Sequence, residues 1–225
     1  MARPRQTLLS RERIVEVASA LVDAEGLDAV STRRLAAELG VRGPSLYNHF
    51  TSKDEILEAV ADAVTATVDV SFFDTHDWRD ALRLWAGSYH AALAAHPHIV
   101  PILAQGPNRR PAALAMADTV YGALIRAGWP PGRATHIGAL MRYLVTGAGL
   151  GSFARGFVDD PGVYAGHYPH LHHAHLLASH EHTVDEGAFA LGLDLLLAGL
   201  DRLYATLDHP HPAAPNGELT RGPGN

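Results

Sequence analysis

Residues 13–60 read RIVEVASALVDAEGLDAVSTRRLAAELGVRGPSLYNHFTSKDEILEAV, and their periodicity decides the fold. Ile14, Val17, Ala18, Leu21 and Val22 recur at steps of three and four, which lines one helix face. Ser10 stands at the N-cap position of that helix and Gly26 at its end. Ser31 can cap a second helix, Thr32–Leu39, whose apolar face is Leu35, Ala36 and Leu39, with Gly40 as the stop. Gly43-Pro44-Ser45 opens a third through Phe50, since proline is tolerated in a first helical turn. Thr51 or Ser52 caps a fourth over 54–70, and Asp54 and Glu55 suit its positive end. Its apolar face is Ile56, Leu57, Val60, Ala63, Val64 and Ala66 or Thr67.

Two short helices joined by Gly40-Val41-Arg42 have the helix-turn-helix pattern. Leu35, Leu39, Val41 and Leu46 can lock them at a steep angle. Ser45, Tyr47, Asn48 and His49 then lie around the second helix, within reach of phosphates, thymine methyls or base edges. Arg42 and Lys53, the only lysine in the chain, flank it as phosphate neutralisers. A helical pair packed only for stability gives the same spacing. Charge bears on the choice without deciding it: residues 1–53 hold eight Arg/Lys against six Asp/Glu, whereas 54–225 hold ten against eighteen. A total of −6 argues against nucleic acid, but its distribution suits a first part that meets a polyanion.

The whole chain, 225 residues with 47% hydrophobic and 19% charged, can bury a core. It has no cysteine, which excludes disulfide scaffolds, thiolate zinc sites, iron–sulfur clusters and cysteine nucleophiles. The first residues have no apolar run before a small-residue cleavage site, and Ala134–Phe153 carries His136 and Arg142. Neither a signal peptide nor a membrane span is expected, and a cytoplasmic location fits.

In detail, residues 13–60 resemble the DNA-binding domain of the tetracycline-repressor (TetR) family. The resemblance rests on Ala24-Glu25-Gly26, Ser31-Thr32-Arg33-Arg34-Leu35-Ala36, Leu39-Gly40-Val41, Ser45-Leu46-Tyr47-Asn48-His49-Phe50 and Lys53-Asp54-Glu55-Ile56-Leu57. It implies that Thr32 and Arg33 start a bracing helix that can touch phosphate. Arg42, Gly43, Pro44 and Ser45 lead the recognition helix into the groove, with Asn48 on it. Tyr47 and His49 hold phosphates, and Lys53 completes the contact. Gly43 replaces the larger polar residues often seen there, which puts base reading at that position in doubt. Pro44 still offers an apolar surface to a thymine methyl.

Further helices are expected near 78–95, 98–105, 111–128, 131–156 and 186–207, with a loop at Phe72–Asp77 and prolines between helices. The fold class is all-α: a helix-turn-helix domain over 1–53 with a basic arm at 1–9, a connecting helix over 54–70, and a ligand-binding and dimerisation domain over 71–207. Residues 208–225 are expected to be a disordered tail. In the last helix Phe189, Leu193, Leu196, Leu200, Leu203 and Leu207 form a stripe, with Leu191, Leu195 and Leu197 beyond it. Such breadth needs a second buried surface, in a subunit interface or a deep monomer core.

Trp78-Arg79-Asp80-Ala81-Leu82, Ala95-His96-Pro97, Ala127-Gly128-Trp129 and Phe189–Leu200 resemble the effector domain of the tetracycline repressor's own branch. This implies a homodimer paired through its last two long helices, which would read a palindromic operator. It also implies a small-molecule effector among helices 78–157. Candidate lining residues are Trp85, Tyr89, Leu103, Gln105, Met116, Tyr121, Met141, Tyr143 and Phe153. Leu103, Gly106 and Tyr143 occupy positions where the resemblance calls for magnesium- or drug-binding residues, which argues against tetracycline–magnesium and for another hydrophobic or aromatic effector.

Other chemistry competes. Seven histidines fall within 167–182: His167, His170, His172, His173, His175, His180 and His182. They could bind metal or respond to pH, or form a solvated loop. Gly147–Ser152 resembles a phosphate loop but lacks a preceding strand; small residues for close helix packing explain it as well. There is no G-x-S-x-G, H-E-x-x-H or P-loop lysine, and Ser88 beside His90 is no dyad without geometry. The expectation is a ligand-responsive DNA-binding regulator, a repressor, and not an enzyme, with no cofactor.

Overall fold

Ser10, Ser31 and Ser52 each accept a hydrogen bond from the amide three residues on, at 3.1–3.2 Å, and each starts a helix. The computed structural model describes residues 9–106 and 109–207. Residues 1–8 of the basic arm expected at 1–9, and the tail expected at 208–225, lie outside the described residues. Every regular element described is helical.

Helices α1 (Arg11–Glu25), α2 (Thr32–Leu39), α3 (Gly43–Leu46) and α4 (Lys53–Thr65) form the amino-terminal bundle. Ile14, Ala18, Val22, Leu35, Leu46, Phe50, Ile56 and Val60 are its buried centre. Gly40 closes α2 at φ 66°, a left-handed conformation in which its amide reaches back to Ala37. Two expectations change here. The recognition helix is regular only to Leu46, and Tyr47–His49 continue as a turn, although the Phe50 amide still bonds Leu46 O. Helix α4 stops at Thr65 rather than 70, where the Val68 amide turns back to Thr65 O. Ala63, Ala66 and Thr67 are exposed while Ala61 and Thr65 are buried, because α4 packs on α1 with one side and α8 with another.

The larger part contains α5 (Phe72–Thr75), α6 (Trp78–Ala95), α7 (Val100–Ala104), α8 (Pro111–Arg126), α9 (Pro131–Gly149), α10 (Pro161–Tyr164) and α11 (Glu181–Tyr204). The expected loop at Phe72 is the short α5, because Phe73 buries its ring 6.1 Å from Trp85. Pro97–Ile99 is a separate 3-10 turn before α7. Helix α9 ends at Gly149 instead of 156, and an added Cβ there would lie 2.9 Å from Leu93. That contact favours close packing at Gly149, whereas Gly147 and Gly151 have open space. Helix α11 begins five residues before the expected 186, where Arg155 grips Glu181 with two hydrogen bonds of 2.6 and 2.9 Å. Leu197 belongs to its buried stripe with Phe189, Leu193 and Leu200, while Leu196 and Leu203 are only partly covered. Trp78, Trp129 and Tyr204 cluster where α6 and α11 meet, with centroids 5.1–5.2 Å apart.

Candidate nucleic-acid interface and ligand cavity

Leu46 and Phe50 anchor the α3 segment inward, and that turns its remaining side chains outward. Arg33, Arg42, Pro44, Tyr47 and Asn48 are exposed, Tyr47 to 57%. Thr32, Gly43, Ser45, His49 and Lys53 are partly covered along the same segment. Among the described residues Arg33, Arg42 and Lys53 have no carboxylate partner, which leaves three cations available. Arg34 differs, pairing with Glu25 at 2.9 Å and Glu38 at 3.0 Å.

Arg11 is a positioning residue that periodicity did not reveal. Its guanidinium donates to the His49 carbonyl at 2.5 Å, pairs with Glu55 at 2.9 Å and lies 3.9 Å over the Phe50 ring. Glu55 in turn accepts from the Thr51 amide and hydroxyl at 2.7 and 2.8 Å. These hydrogen bonds from Thr51, then Arg11, hold the Glu55 carboxyl at about 2, well below its ordinary value. The latch ties the end of the recognition segment to α1 and α4. No local pattern shows it, since Arg11 lies 38 positions from His49 and 44 from Glu55.

A cavity of about 130 Å³ opens among α4, α6, α7, α8 and α9. Trp85, Tyr89, Leu103, Met116, Tyr121 and Tyr143 line it, and Tyr143 stands at 66% exposure. The other three candidates lie elsewhere. Met141 is wholly buried on the core side of α9, Gln105 caps α7 facing outward, and Phe153 is 68% exposed beyond the end of α9. Gly138 makes room for the cavity wall, because a Cβ there would stand 2.1 Å from the Tyr121 ring.

Sequence reasoning missed the polar part of this wall. Arg110 is 4% exposed, and its side chain reaches the Gly106 carbonyl and pairs with Glu58 at 3.5 Å. Arg142 donates from one terminal nitrogen to the Leu103 and Ala104 carbonyls at 3.1 and 2.8 Å, covering the end of α7. Burial pushes the Tyr89 phenol up, partly offset by the Arg142 and Arg110 charges. Arg110 in a proline-bounded segment gave no periodic signal, and Arg142 reads as any exposed helical arginine.

Helix α4 joins the two places. Lys53 begins it beside the recognition segment, and Thr65 at its other end borders the cavity. Asp62 accepts from the Ala112 and Ala113 amides at 2.9 and 3.3 Å, which caps α8. A second bridge runs from the turn after α6 to α1. His96 Nδ1 lies 2.9 Å from Asp23, and His98 Nδ1 lies 2.9 Å from the Val22 carbonyl.

The histidine-rich connection holds no metal site among the described residues, for no three His, Asp or Glu side chains converge there. His172 and His180 instead face backbone carbonyls at 3.1 and 2.9 Å. Ser88 accepts from the Asp69 amide while His90 stacks on Phe189 at 4.0 Å, so the two are engaged separately. Among the described residues no helix is long and apolar enough to cross a membrane.

Known proteins share this fold. Residues 14–60 match the family of bacterial regulatory proteins named after tetR, and residues 74–204 match the tetracyclin repressor-like C-terminal domain. The class C tetracycline repressor protein of Escherichia coli is 33% identical over 210 residues, covering 88% of this chain and 93% of that protein. An HTH-type transcriptional regulator of Saccharopolyspora erythraea is 32% identical over 157 residues, which is 70% of this chain and 63% of that longer protein. A solved structure of the Streptomyces coelicolor protein ActR in complex with (S)-DNPA superposes with a TM-score of 0.73 at 30% identity. It covers 87% of this chain and 98% of that one.

Proposed function

The chain belongs to the TetR family of bacterial regulatory proteins, and from that premise we propose that it is a homodimeric repressor released from its operator by a small molecule. One observation carries the reading: a single helix, α4, has the outward-facing recognition segment at one end and a ligand-sized cavity at the other.

In this reading Arg42, Gly43, Pro44, Ser45 and Asn48 meet the major groove, while Thr32, Arg33, Tyr47, His49 and Lys53 hold phosphates. The domain division is the one the residues suggest, with α4 as the connector. A dimer follows from exposed apolar side chains on two adjacent helices. Leu140 on α9, and Leu191 and Leu195 on α11, are 47–65% exposed. Two copies packed there bring two recognition segments to one face of a palindrome, about 34 Å apart. The protein acts by binding and not by catalysis, in the cytoplasm where its DNA is.

Effector occupancy shifts the population toward a conformer in which α4 holds the two recognition segments out of register. Linkage requires that effector weaken operator binding and that operator weaken effector binding by the same factor. Fluorescence anisotropy on labelled fragments from beside the gene, against scrambled duplex at several salt concentrations, tests the reading. Competitor-resistant binding to one fragment is expected. Binding no tighter than to scrambled duplex across the neighbouring DNA overturns it.

A further inference from the structure

The polar side chains around the cavity are two guanidinium groups and an indole, which only donate, and hydroxyls, which donate as well as accept. Arg110 and Arg142 bring two positive charges into a wall that is otherwise aromatic and aliphatic, and no carboxylate lines it. Glu58 stands behind Arg110 and balances one of them at 3.5 Å. Arg142 spends only one terminal nitrogen on the α7 carbonyls, so its Nε–H and other terminal nitrogen have no partner among the described residues. The Trp85 indole N–H is buried with no acceptor, in a side chain only 3% exposed. A buried donor without a partner destabilises the fold, a loss that a ligand acceptor would recover. The Tyr89 hydroxyl lies in the same wall, within the field of both guanidinium groups.

We infer that the effector is an aromatic carboxylate, with its ring in the cavity and its anionic group held by Arg142, Arg110 and the Trp85 indole N–H. This rests on the proposed role of the cavity as the effector site, and it names the class of molecule. Planar guanidinium groups match a carboxylate, and charge-assisted bonds in a water-poor site are the strong ones. A cavity of about 130 Å³ takes one aromatic ring, since an engineered apolar cavity of about 150 Å³ binds benzene. A second ring extends past the exposed Tyr143. The same two cations repel a divalent metal, so a magnesium chelate is the wrong ligand here.

The location of Arg110 also links the anion to the switch. An anion in the cavity competes with Glu58 for Arg110, and Glu58 sits on α4. Drawing the guanidinium into the cavity loosens the hold of α8 on the connecting helix.

Calorimetric titration of the full-length protein with 2-naphthoate and with its neutral isostere 2-naphthamide tests the assignment. The acid is expected to bind at least tenfold tighter, and Arg142→Met should reduce that preference below threefold. If Arg142→Met fails to fold, Trp85→Phe serves instead. It keeps the ring packing and removes the indole N–H, so acid affinity should fall three- to tenfold with the melting temperature unchanged. Equal affinity for acid and amide, or no binding of the acid at millimolar concentration, overturns the inference. Operator binding measured on the same preparation separates the two readings: specific DNA binding without an acid preference leaves the regulator standing and removes only the anionic effector. An acid preference in a protein with no operator does the reverse.

Discussion

Between Thr32 and Lys53 all the proposed DNA contacts come from one continuous segment, half of them exposed and the other half partly covered. Around the cavity, Thr65 comes from α4, Trp85 and Tyr89 from α6, Leu103 from α7, Arg110 from just before α8, and Arg142 from α9. The first site is a local device. Its backbone is set by caps, a left-handed glycine and two buried anchors, so its side chains have nowhere to point but outward. The second exists only when five helices have assembled. Its proposed selectivity rests on two arginines whose partners include Glu58, Leu103 and Ala104, 38 or more positions away in sequence. One site should therefore survive damage to the other, while α4 and the proposed dimer surface serve both.

The largest effect is expected where the two are joined. Leu191→Glu combined with Leu195→Glu places charges on a face that is 61–65% exposed in one copy. Sedimentation should show monomers, and operator affinity should fall by about 100-fold or more as the bivalent contact is lost. A dimer that persists with unchanged affinity would place the interface elsewhere.

Next is the cavity alone. Gly138→Ala sets a Cβ against the Tyr121 ring, and overpacking of this kind costs about 1–3 kcal/mol. Ligand binding should disappear while operator binding by the folded fraction stays. Equal loss of both would show that the regions are less separable than the geometry indicates. Within the surface segment, Lys53→Ala should weaken all DNA sequences alike and reduce the salt slope by about one. Arg42→Ala distinguishes base reading from phosphate contact: relative affinities for operator variants change only in the first case.

The Glu55 latch gives an acid dependence. Its carboxyl is held at about 2 in the folded chain against an ordinary 4.5, so its contribution is complete above about pH 4.5. That contribution is lost as pH falls through about 2. Glu55→Gln should be less stable to urea at pH 7 and should show a flatter fall in stability below pH 4.5. Parallel pH curves for the two proteins would remove the latch. The smallest effect belongs to Arg34→Ala, which breaks two exposed ion pairs and should leave the urea unfolding midpoint almost unchanged.

Legibility followed the same division. Ser10, Ser31 and Gly40 are readable because a cap or a stop acts within four residues of itself. The reach of α4 was less readable. Periodicity treats a helix as having one buried face, and α4 has two, so Ala61 and Thr65 were missed while Ala63 was included. Met141 and Phe153 were credible cavity residues by type, but type tells neither which side of α9 faces the cavity nor that α9 ends before Phe153. Arg110 and Arg142 were passed over because a charged residue in a sequence reads as solvated. The carbonyls of Gly106, Leu103 and Ala104, with the Glu58 carboxylate, explain why they are held inward.

Residue order alone was sufficient for the all-helical class, the helix-turn-helix segment and the sign change of charge along the chain, because each depends on neighbours within a few turns. Assembly decided the latch of Arg11 on Glu55, the two bridges between the parts, and the cationic character of the cavity. Those depend on residues 38 to 76 positions apart meeting at hydrogen-bond distance. No periodicity encodes such a meeting. It arises when burying apolar faces forces the helices together and their remaining polar groups must find partners.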